Sequence, residues 1–396
     1  MTAEPAGSLY LHLPFCAARC PYCDFAIHVG GQELHRPYVD AVIRELDQLA
    51  LAEPGRGGLE TVYLGGGTPG LIAPFLLARL LQAVEDRFGI HPGAEVTLEA
   101  NPAGLTVGRA RSWRGLGVNR VSLGVQSLDD PTLRWLGRNH DRRQALAGLA
   151  ALERAGFTNV SCDLIYAVPA QPTPVFLAGL RDLLRFEPAH VSCYELTVEP
   201  GTPLARSVAQ GRVPGPREAD FLEQHAGARE LLEGAGLAQY EVSNYARPGR
   251  ESRHNLGYWR GRHYLAAGSG AHGFLAPLAA SMLGLEVRAG DVGVRYWNLR
   301  SAPTYIRQVL AQGHGRRGAE GIDPEQRELE RLACGLRLRE GLELDRPGQL
   351  RRAAGLAELG LVTLRGRRVT STDRGIEVLD RLTLELAMAG AVPALA

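Results

Sequence analysis

Short β-rich stretches and amphipathic helical stretches alternate through the first half of the chain. The β-rich stretches are residues 8–14, 61–65, 95–100, 120–126, 159–167 and 190–197, and helical periodicity marks residues 38–51, 75–88, 142–156 and 174–186. Strands that alternate with helices predict a parallel sheet covered by helices. Six or so such units are too few for a closed barrel of eight strands. The pattern therefore predicts an α/β fold built on an open, partial (β/α)6-type barrel.

The predicted strands show no clean alternation of inward and outward positions. This is expected in a parallel sheet when helices cover one face and a core fills the other. We therefore expect both faces of the sheet to be buried.

The pattern changes in the second half of the chain. Residues 217–235 predict a further helix and residues 239–245 an edge strand, whereas residues 246–318 are less periodic. Helical stretches at 324–337 and 346–360 are followed by a hairpin with Gly366 at its turn and a helix at 373–386, an order that resembles a winged-helix module. We therefore expect a barrel domain in residues 1–240, a connector in 241–318 and a winged-helix-like α+β domain in 319–396.

Composition and charge narrow the class of protein. The 396 residues are 45% hydrophobic and 22% charged, which is ordinary for a globular protein with one large and one small domain. A formal net charge of +1 gives no broad basic field, so nucleic acid is not an expected partner. No apolar run reaches the roughly 20 residues that span a bilayer, and the N-terminus does not resemble a signal peptide. A cytoplasmic protein with reduced thiols is expected, in which clustered cysteines indicate metal binding or catalysis.

Three of the six cysteines lie together in the sequence CAARCPYC, as Cys16, Cys20 and Cys23. They follow the first predicted strand, at the end where parallel α/β folds place their sites. Three thiolates on one loop can hold a 4Fe-4S cluster and leave one iron open to another ligand. The alternative is a zinc site completed by His12 or His28, because the other three cysteines are remote in the sequence.

The spacing C-x3-C-x2-C, with an aromatic residue before the last cysteine, resembles the radical S-adenosylmethionine (SAM) superfamily. In that superfamily the open iron binds SAM, and reductive cleavage of SAM yields a 5′-deoxyadenosyl radical. Taken singly, a glycine turn or a polar residue at a strand end is also explained by local backbone needs. The resemblance implies that the polar strand ends bind SAM, through Gly66, Gly67, Thr68, Glu99, Gln126, Arg138, Asp163 and Thr197, with Tyr10 and Tyr22 lining the site.

The segments YLGGGTP, LEANP, RVSLGVQS and DLIYAVPAQ resemble the coproporphyrinogen oxidase (HemN) group within that superfamily. Two features depart from the HemN group. Phe25 occupies the position at which that group has a fourth cysteine, and only a short segment precedes the first predicted strand. Both departures resemble the heme-chaperone branch (HemW), as does HNLGYW at residues 254–259, which is similar to the HNxxYW motif of that branch. The resemblance implies a protein that binds heme, a 4Fe-4S cluster and SAM, and passes heme to acceptor hemoproteins such as cytochromes.

Three functions stay open at this point. The first is heme chaperone, the second is a radical SAM oxidoreductase acting on a porphyrinogen (the oxygen-independent coproporphyrinogen III dehydrogenase type), and the third keeps cluster and SAM as structural parts only. No catalytic residue is assigned. His254 is the candidate heme ligand and His272 the second, although a packed, hydrogen-bonded corner explains HNLGYW equally well. Phe25 either removes a reactive thiol or packs beneath the cysteine loop and shields it. A homodimer and a peripheral membrane contact are compatible with the sequence.

Overall fold

The computed structural model describes residues 7–52, 57–169 and 171–390. Residues 1–6 and 391–396, which belong to the two outer predicted domains, lie outside the described residues. Among the described residues, no helix combines the length and the apolar character that crossing a membrane requires.

Strands and helices alternate through the first part of the chain. The strands are β1 (Ser8–Leu13), β2 (Phe15–Cys16), β3 (His28–Val29), β4 (Leu59–Gly66), β5 (Ile90–Ala100), β6 (Arg120–Gln126), β7 (Val160–Tyr166), β8 (His190–Glu195), β9 (Ala238–Gln239) and β10 (Asn244–Ala246). The helices are α1 (His35–Ala52), α2 (Pro74–Phe88), α3 (Val107–Gly115), α4 (Asp130–Trp135), α5 (Arg142–Arg154), α6 (Thr173–Leu184), α7 (Pro203–Ala209) and α8 (Glu218–Gly234).

The remaining elements follow in two groups. The first group comprises α9 (Arg253–Trp259), β11 (Leu265–Ala267), β12 (His272–Leu275), α10 (Pro277–Met282), β13 (Gly293–Asn298), α11 (Ala302–Gln312) and β14 (Arg316–Ile322). The second comprises α12 (Pro324–Gly335), β15 (Leu342–Glu343), α13 (Pro347–Glu358), β16 (Val362–Arg365), β17 (Arg368–Ser371), α14 (Asp373–Ile376) and α15 (Leu379–Gly390).

One sheet of nine strands, in the order β11-β1-β4-β5-β6-β7-β8-β10-β9, forms the framework of the protein. The strands from β11 through β8 are parallel, whereas β10 and β9 add an antiparallel edge. The six strands predicted from the sequence coincide with β1 and β4 to β8. Strands β11 and β9 are the two edges of this sheet, so the open, partial barrel is confirmed.

The central strands are buried on both faces, as expected, although the two faces carry different chemistry. In β1, Leu9, Leu11 and Leu13 belong to the hydrophobic core beneath the helices, while Tyr10 and His12 lie on the opposite face. Both faces are largely buried, because the second face is the inside of the partial barrel and its polar groups hydrogen-bond to one another. Each buried leucine on the helix side contributes about 1.5–3 kcal/mol to folding.

The predicted edge strand at 239–245 is in fact two short strands joined by a turn. The Glu241 carboxylate accepts the backbone N–H of Ser243 at 2.9 Å and also binds the side-chain amide of Asn244. These local hydrogen bonds reverse the chain, so β9 and β10 pair with each other.

The segment expected to be a connector is built from regular elements. Its strand β11 joins the edge of the main sheet, and β12, β13 and β14 form a second, antiparallel sheet. Glu45 of α1 ties this region to the barrel. Its carboxylate accepts hydrogen bonds from Gly268 N (2.9 Å), Gly315 N (2.8 Å), Tyr305 Oη (2.7 Å) and Asn298 Nδ2 (3.0 Å). Four donors offset the cost of burying this acid.

The last part of the chain has its own small core. Strands β15, β17 and β16 form a three-stranded antiparallel sheet, and α12, α13 and α15 supply leucines that pack together with it. Helix α12 begins with a capping box, in which Asp323 accepts the N–H of Gln326 at 2.8 Å and the Gln326 side chain returns to the Asp323 N–H. This order of elements matches the winged-helix-like pattern read from the sequence, while the exact domain boundaries stay a prediction.

Candidate functional site

A cavity of about 470 Å³ opens at the carboxyl ends of the parallel strands and is called the strand-end cavity below. Successive strands of a parallel sheet end on the same edge, so residues far apart in the sequence meet there. Most of the predicted site residues line it, namely Cys16, Cys20, Tyr22, Cys23, Gly66, Gly67, Thr68, Glu99, Gln126, Arg138, Asp163 and Thr197. The three that do not line it are Tyr10 and the two candidate heme ligands, His254 and His272.

The cysteine loop is held at both ends by a short parallel pairing. Strand β2 pairs with β3, so that Phe15 lies opposite His28 and Cys16 opposite Val29. Between these strands, the Cys23 N–H donates to the Cys20 carbonyl at 3.2 Å and closes a turn. The loop therefore presents all three thiols on one short, anchored segment.

The thiols are free, and their surroundings suit a metal centre. Cys16 Sγ lies 3.8 Å from Thr68 Oγ1, and Arg138 Nη1 donates to Cys20 Sγ at 3.4 Å. Burial raises the pKa of the Cys16 thiol to about 11, although the Thr68 hydroxyl opposes the shift. A protonated thiol is a poor ligand, but a bound metal cation removes the proton. The donor set fits an iron–sulfur cluster once that cation is supplied.

The zinc alternative has less support. His12 is 5% exposed, its Nε2 lies 2.8 Å from the Ala26 carbonyl oxygen, and its Nδ1 lies 3.0 Å from Tyr10 Oη. Both ring nitrogens are therefore engaged. Within residues 7–52, 57–169 and 171–390, no three His, Cys, Asp or Glu side chains converge as the ligands of one metal ion do. A 4Fe-4S cluster places each thiolate on a different iron, so it does not require that convergence.

Acidic and basic side chains form the floor of the cavity. The Glu99 carboxylate accepts hydrogen bonds from Tyr63 Oη at 2.8 Å and from Gly66 N at 2.9 Å, and burial raises the pKa of Glu99 to about 7. Asp163 accepts the Ser122 hydroxyl at 3.0 Å, and burial raises the pKa of this acid as well. The floor can therefore hold both charged and neutral polar groups of a ligand.

Arg138 carries a donor that the described residues leave unused. Its Nη2 donates to the Gly124 carbonyl at 3.2 Å, whereas its buried Nε has no hydrogen-bond partner among the described groups. Buried N–H groups are nearly always paired in folded proteins. An acceptor from a bound polar ligand would satisfy it, which supports the fit of a molecule such as SAM.

The glycine run after β4 lets the backbone pass directly against the cysteine loop. Gly67 N donates to the Leu13 carbonyl at 2.9 Å, and a Cβ on Gly67 would lie 2.5 Å from the Pro14 carbonyl group. Gly66 has φ +112°, a conformation that favours glycine. At the end of β6, Gln126 has φ +63°, which is unusual for a residue with a side chain and is common at functional sites.

Tyr10 lies below the cavity and does not line it. Its ring stacks on Tyr63 with centroids 6.0 Å apart, and its hydroxyl is engaged by His12. Its neighbour Tyr63 lines the cavity, as Tyr22 and Tyr194 do. Tyr10 and Tyr63 are paired neighbours on β1 and β4, so the sequence pointed to a tyrosine one strand away from the one that reaches the cavity.

His254 is buried and hydrogen-bonded through both ring nitrogens, which favours the packed corner over the heme ligand as its interpretation. The side chain is 1% exposed, with Nδ1 2.7 Å from Thr61 Oγ1 and Nε2 2.8 Å from Tyr258 Oη. Its ring also stacks on Tyr63 at 5.0 Å. Burial lowers the pKa of His254 to about 3, so the ring is neutral at physiological pH. The alternative of a packed, hydrogen-bonded corner describes this residue.

Helix α9 closes the amino end of the barrel. Ser252 caps the helix, and the backbone N–H groups of Arg253 and His254 donate to Glu95 at 3.1 and 3.2 Å. Thr61 of β4 and Glu95 of β5 lie opposite each other, near the amino end of the pairing between these two strands. Asn255 of α9 reaches the strand-end cavity from this side. The cavity therefore extends through the barrel interior to α9.

Several lining residues were missed by sequence reasoning. They are the interior-facing strand residues Tyr63, Arg120, Ser122 and Tyr194, whereas Phe25 and Asn255, which belong to motifs noted in the sequence, line the cavity as well. The interior ones occupy alternate strand positions, a signal that the sequence contained. Phe25 is 59% exposed at the cavity, so the idea that it packs beneath the cysteine loop does not hold.

Comparisons with known proteins agree with this site. The sequence profile of the radical SAM superfamily matches residues 10–172. The chain is 37% identical to the heme chaperone HemW of Mycobacterium tuberculosis over 98% of this chain and 96% of that protein. It is 36% identical to the mitochondrial radical S-adenosyl methionine domain-containing protein 1 of Bos taurus, over 96% of this chain and 87% of that one.

Among solved structures, coproporphyrinogen III oxidase (HemN) of Escherichia coli, a radical SAM enzyme, matches with a TM-score of 0.79. The match covers 97% of this chain and 90% of that chain at 22% identity, so it shows a shared fold. The curated relatives match nearly end to end at higher identity. The chain therefore belongs to the radical SAM superfamily and, within its HemN-like group, to the HemW family.

Proposed function

We propose that this protein is a heme chaperone, which binds heme and delivers it to acceptor hemoproteins such as cytochromes. The observation that carries the proposal is the match to the HemW protein named as a heme chaperone, at 37% identity over 98% of this chain and 96% of that protein. Such coverage means that barrel, connector and C-terminal module are all shared. Phe25, in the place of the fourth cysteine of the HemN pattern, supports the same choice.

In this proposal Cys16, Cys20 and Cys23 hold a 4Fe-4S cluster on the anchored loop. Their free thiols, their common lining of the strand-end cavity and the Arg138 cation beside Cys20 support the assignment. When bound, a cluster with an open iron supplies redox chemistry and a binding position for SAM. The protein's part is to hold the thiolates, orient them and limit the access of water.

The polar lining of the strand-end cavity is proposed to bind SAM. Glu99 offers a carboxylate for an ammonium group, the unused Arg138 Nε offers a donor, and Asp163 offers acceptor oxygens. The glycine backbone allows a close approach at the cavity wall. The proposed SAM contacts are Tyr22, Gly66, Gly67, Thr68, Glu99, Gln126, Arg138, Asp163 and Thr197.

A cytoplasmic location and the three-part division at residues 1–240, 241–318 and 319–396 complete the proposal. All six cysteines are free, which agrees with a reducing compartment. The separate small core of the C-terminal module supports the last boundary.

The test is anaerobic reconstitution with iron and sulfide, followed by heme titration and transfer of the bound heme to an apo-cytochrome. We expect four irons and four sulfides per chain, a perturbation of the cluster spectrum by SAM, and movement of heme to the acceptor. A protein that retains no heme, or binds it without releasing it to any apo-acceptor, would refute the chaperone function.

Cysteine variants separate the cluster from the rest of the protein. Replacing Cys16, Cys20 or Cys23 with alanine should abolish the cluster, since two thiolates hold a cube poorly. The matched controls are Cys162→Ala and Cys193→Ala, which change buried core thiols. Iron and sulfide should stay bound in the folded fraction of both controls, and their loss there would contradict the ligand assignment.

A further inference from the structure

A second cavity, of about 510 Å³, lies between α9, the sheet of β12 to β14, and α12. We call it the α9–α12 cleft and define it by Trp259, Tyr264, Phe274, Arg327, Cys334 and Leu342. Its volume is in the range of small-molecule sites. The C-terminal residues of α9 line this cleft, whereas Asn255 of the same helix lines the strand-end cavity. The two spaces are therefore separated by the HNLGYW segment.

Aromatic rings and aliphatic side chains form the walls of the cleft. The rings of Tyr258 and Tyr264 meet edge to face at 4.6 Å, and the Arg327 guanidinium lies over the Phe274 ring at 4.9 Å. Trp259 is part of the same wall. Such walls favour a flat, apolar, polarisable ligand, because ring faces stack on other ring faces.

The lining of the cleft carries more positive than negative side chains. Five arginines line the cleft against two glutamates: Arg260, Arg262, Arg295, Arg327, Arg331, Glu330 and Glu340. Arg260 pairs with Glu340 at 2.9 Å and Arg262 with Glu60 at 3.3 Å, and all four side chains are at least 40% exposed. Exposed ion pairs contribute little to stability, so a ligand carboxylate can replace the glutamates at low cost.

The cleft also contains a thiol to which the proposed cluster and SAM sites assign no role. Cys334 is a free, half-buried cysteine on α12. Burial raises the pKa of this thiol, while the neighbouring Arg337 and Arg327 act in the opposite direction. A thiolate is an established axial ligand of heme iron. An aromatic slot, cations for carboxylates and an axial ligand are the three features that heme requires.

We propose that the α9–α12 cleft is the heme site, in which Cys334 ligates the iron and Arg260 and Arg262 bind the propionates. This inference rests on the proposed chaperone function and names where its cargo binds. On binding, an iron–sulfur bond forms and the thiol proton passes to solvent, with no change in oxidation state. Because the Arg260 and Arg262 side chains are at least 40% exposed, the propionates would stay near solvent, which suits a ligand that must leave again.

The test compares heme binding by the full-length protein and three variants, followed by absorption spectra and titration. Cys334→Ser keeps the size of the side chain, the double variant Arg260→Gln/Arg262→Gln removes the propionate cations, and His272→Ala is the matched control. His272 is exposed on β12 and was the other histidine candidate. In the parent, the CO complex of the reduced protein should show the red-shifted Soret band of a thiolate ligand.

We expect Cys334→Ser to lose that band and to weaken binding about tenfold, a change of about 1.4 kcal/mol. The double arginine variant should weaken binding by a similar factor and keep the band, and His272→Ala should change neither. If the parent binds heme and Cys334→Ser has the same spectrum and affinity, the cleft is the wrong site while the chaperone function stands. If the parent binds no heme, both proposals fail.

Discussion

His254→Ala should destabilise the protein strongly, because this histidine is a structural link between the barrel and α9. The substitution removes a fully buried ring that stacks on Tyr63 at 5.0 Å. Large-to-small changes in a core cost about 2–5 kcal/mol. It also leaves the buried Thr61 hydroxyl without its 2.7 Å partner, which adds about 1–3 kcal/mol. Tyr258 lines the α9–α12 cleft and can turn to water. The expected total is roughly 3–8 kcal/mol.

The pH dependence of this loss provides an internal check. The pKa of His254 is lowered from 6.5 to about 3 by burial, so below pH 6.5 the unfolded chain binds a proton that the native protein does not. The stability that depends on the neutral ring is fully present above pH 6.5 and is lost as pH falls toward the folded pKa. At pH 5 the protonation of this group in the unfolded chain has lowered the parent's free energy of unfolding by about 2 kcal/mol, because 1.5 pH units separate pH 5 from 6.5 and each is worth about 1.4 kcal/mol. The alanine variant has no such group.

Urea unfolding followed by circular dichroism, at pH 7.5 and pH 5, measures both quantities. The free-energy gap between parent and His254→Ala should be several kcal/mol at pH 7.5 and about 2 kcal/mol smaller at pH 5. The control His272→Ala alters an exposed residue and should stay within about 0.5 kcal/mol of the parent. A gap below about 1 kcal/mol at pH 7.5, or one that does not shrink on acidification, would refute the reasoning. A shifted heme spectrum without loss of stability would restore His254 as a ligand.

Three further predictions concern the site and its supports. Gly67→Ala should weaken SAM binding and lower the free energy of unfolding by about 1–3 kcal/mol, because the new Cβ would lie 2.5 Å from the Pro14 carbonyl. The control Gly108→Ala, in open space on α3, should leave stability unchanged or raise it. Equal unfolding midpoints for the two variants would contradict this reasoning. Glu45→Ala should lower the free energy of unfolding by roughly 3–5 kcal/mol and speed hydrogen exchange at the amides of Gly268 and Gly315, which donate to this carboxylate. Unchanged exchange would show that those two amides do not depend on Glu45. The intact protein and Phe25→Cys should both release no carbon dioxide from coproporphyrinogen under strict anaerobiosis, and substantial decarboxylation by the parent would instead favour the oxidoreductase.

The sequence by itself determined the frame of the protein and most of its strand-end site. Alternating elements specify a parallel sheet, and the carboxyl ends of parallel strands must share one edge. Residues as distant as Cys16 and Thr197 were therefore grouped correctly without coordinates. The three cysteines were grouped for a different reason, since residues within one short loop stay close whatever the rest of the chain does.

Tertiary structure decided what depends on contacts between distant segments. His254 and Tyr10 have the chemistry of ligands in the sequence, but contacts with β4 engage both, because Thr61 hydrogen-bonds to His254 and Tyr63 stacks on Tyr10. The sequence predicted strands that are buried on both faces, but only the fold shows that one face packs under the helices and the other lines the barrel interior. Likewise, Cys334 had no evident partner in the sequence. Only the packing of α12 against α9 and β12 brings this thiol beside aromatic rings and arginines, because a cleft between separate elements has no local sequence pattern.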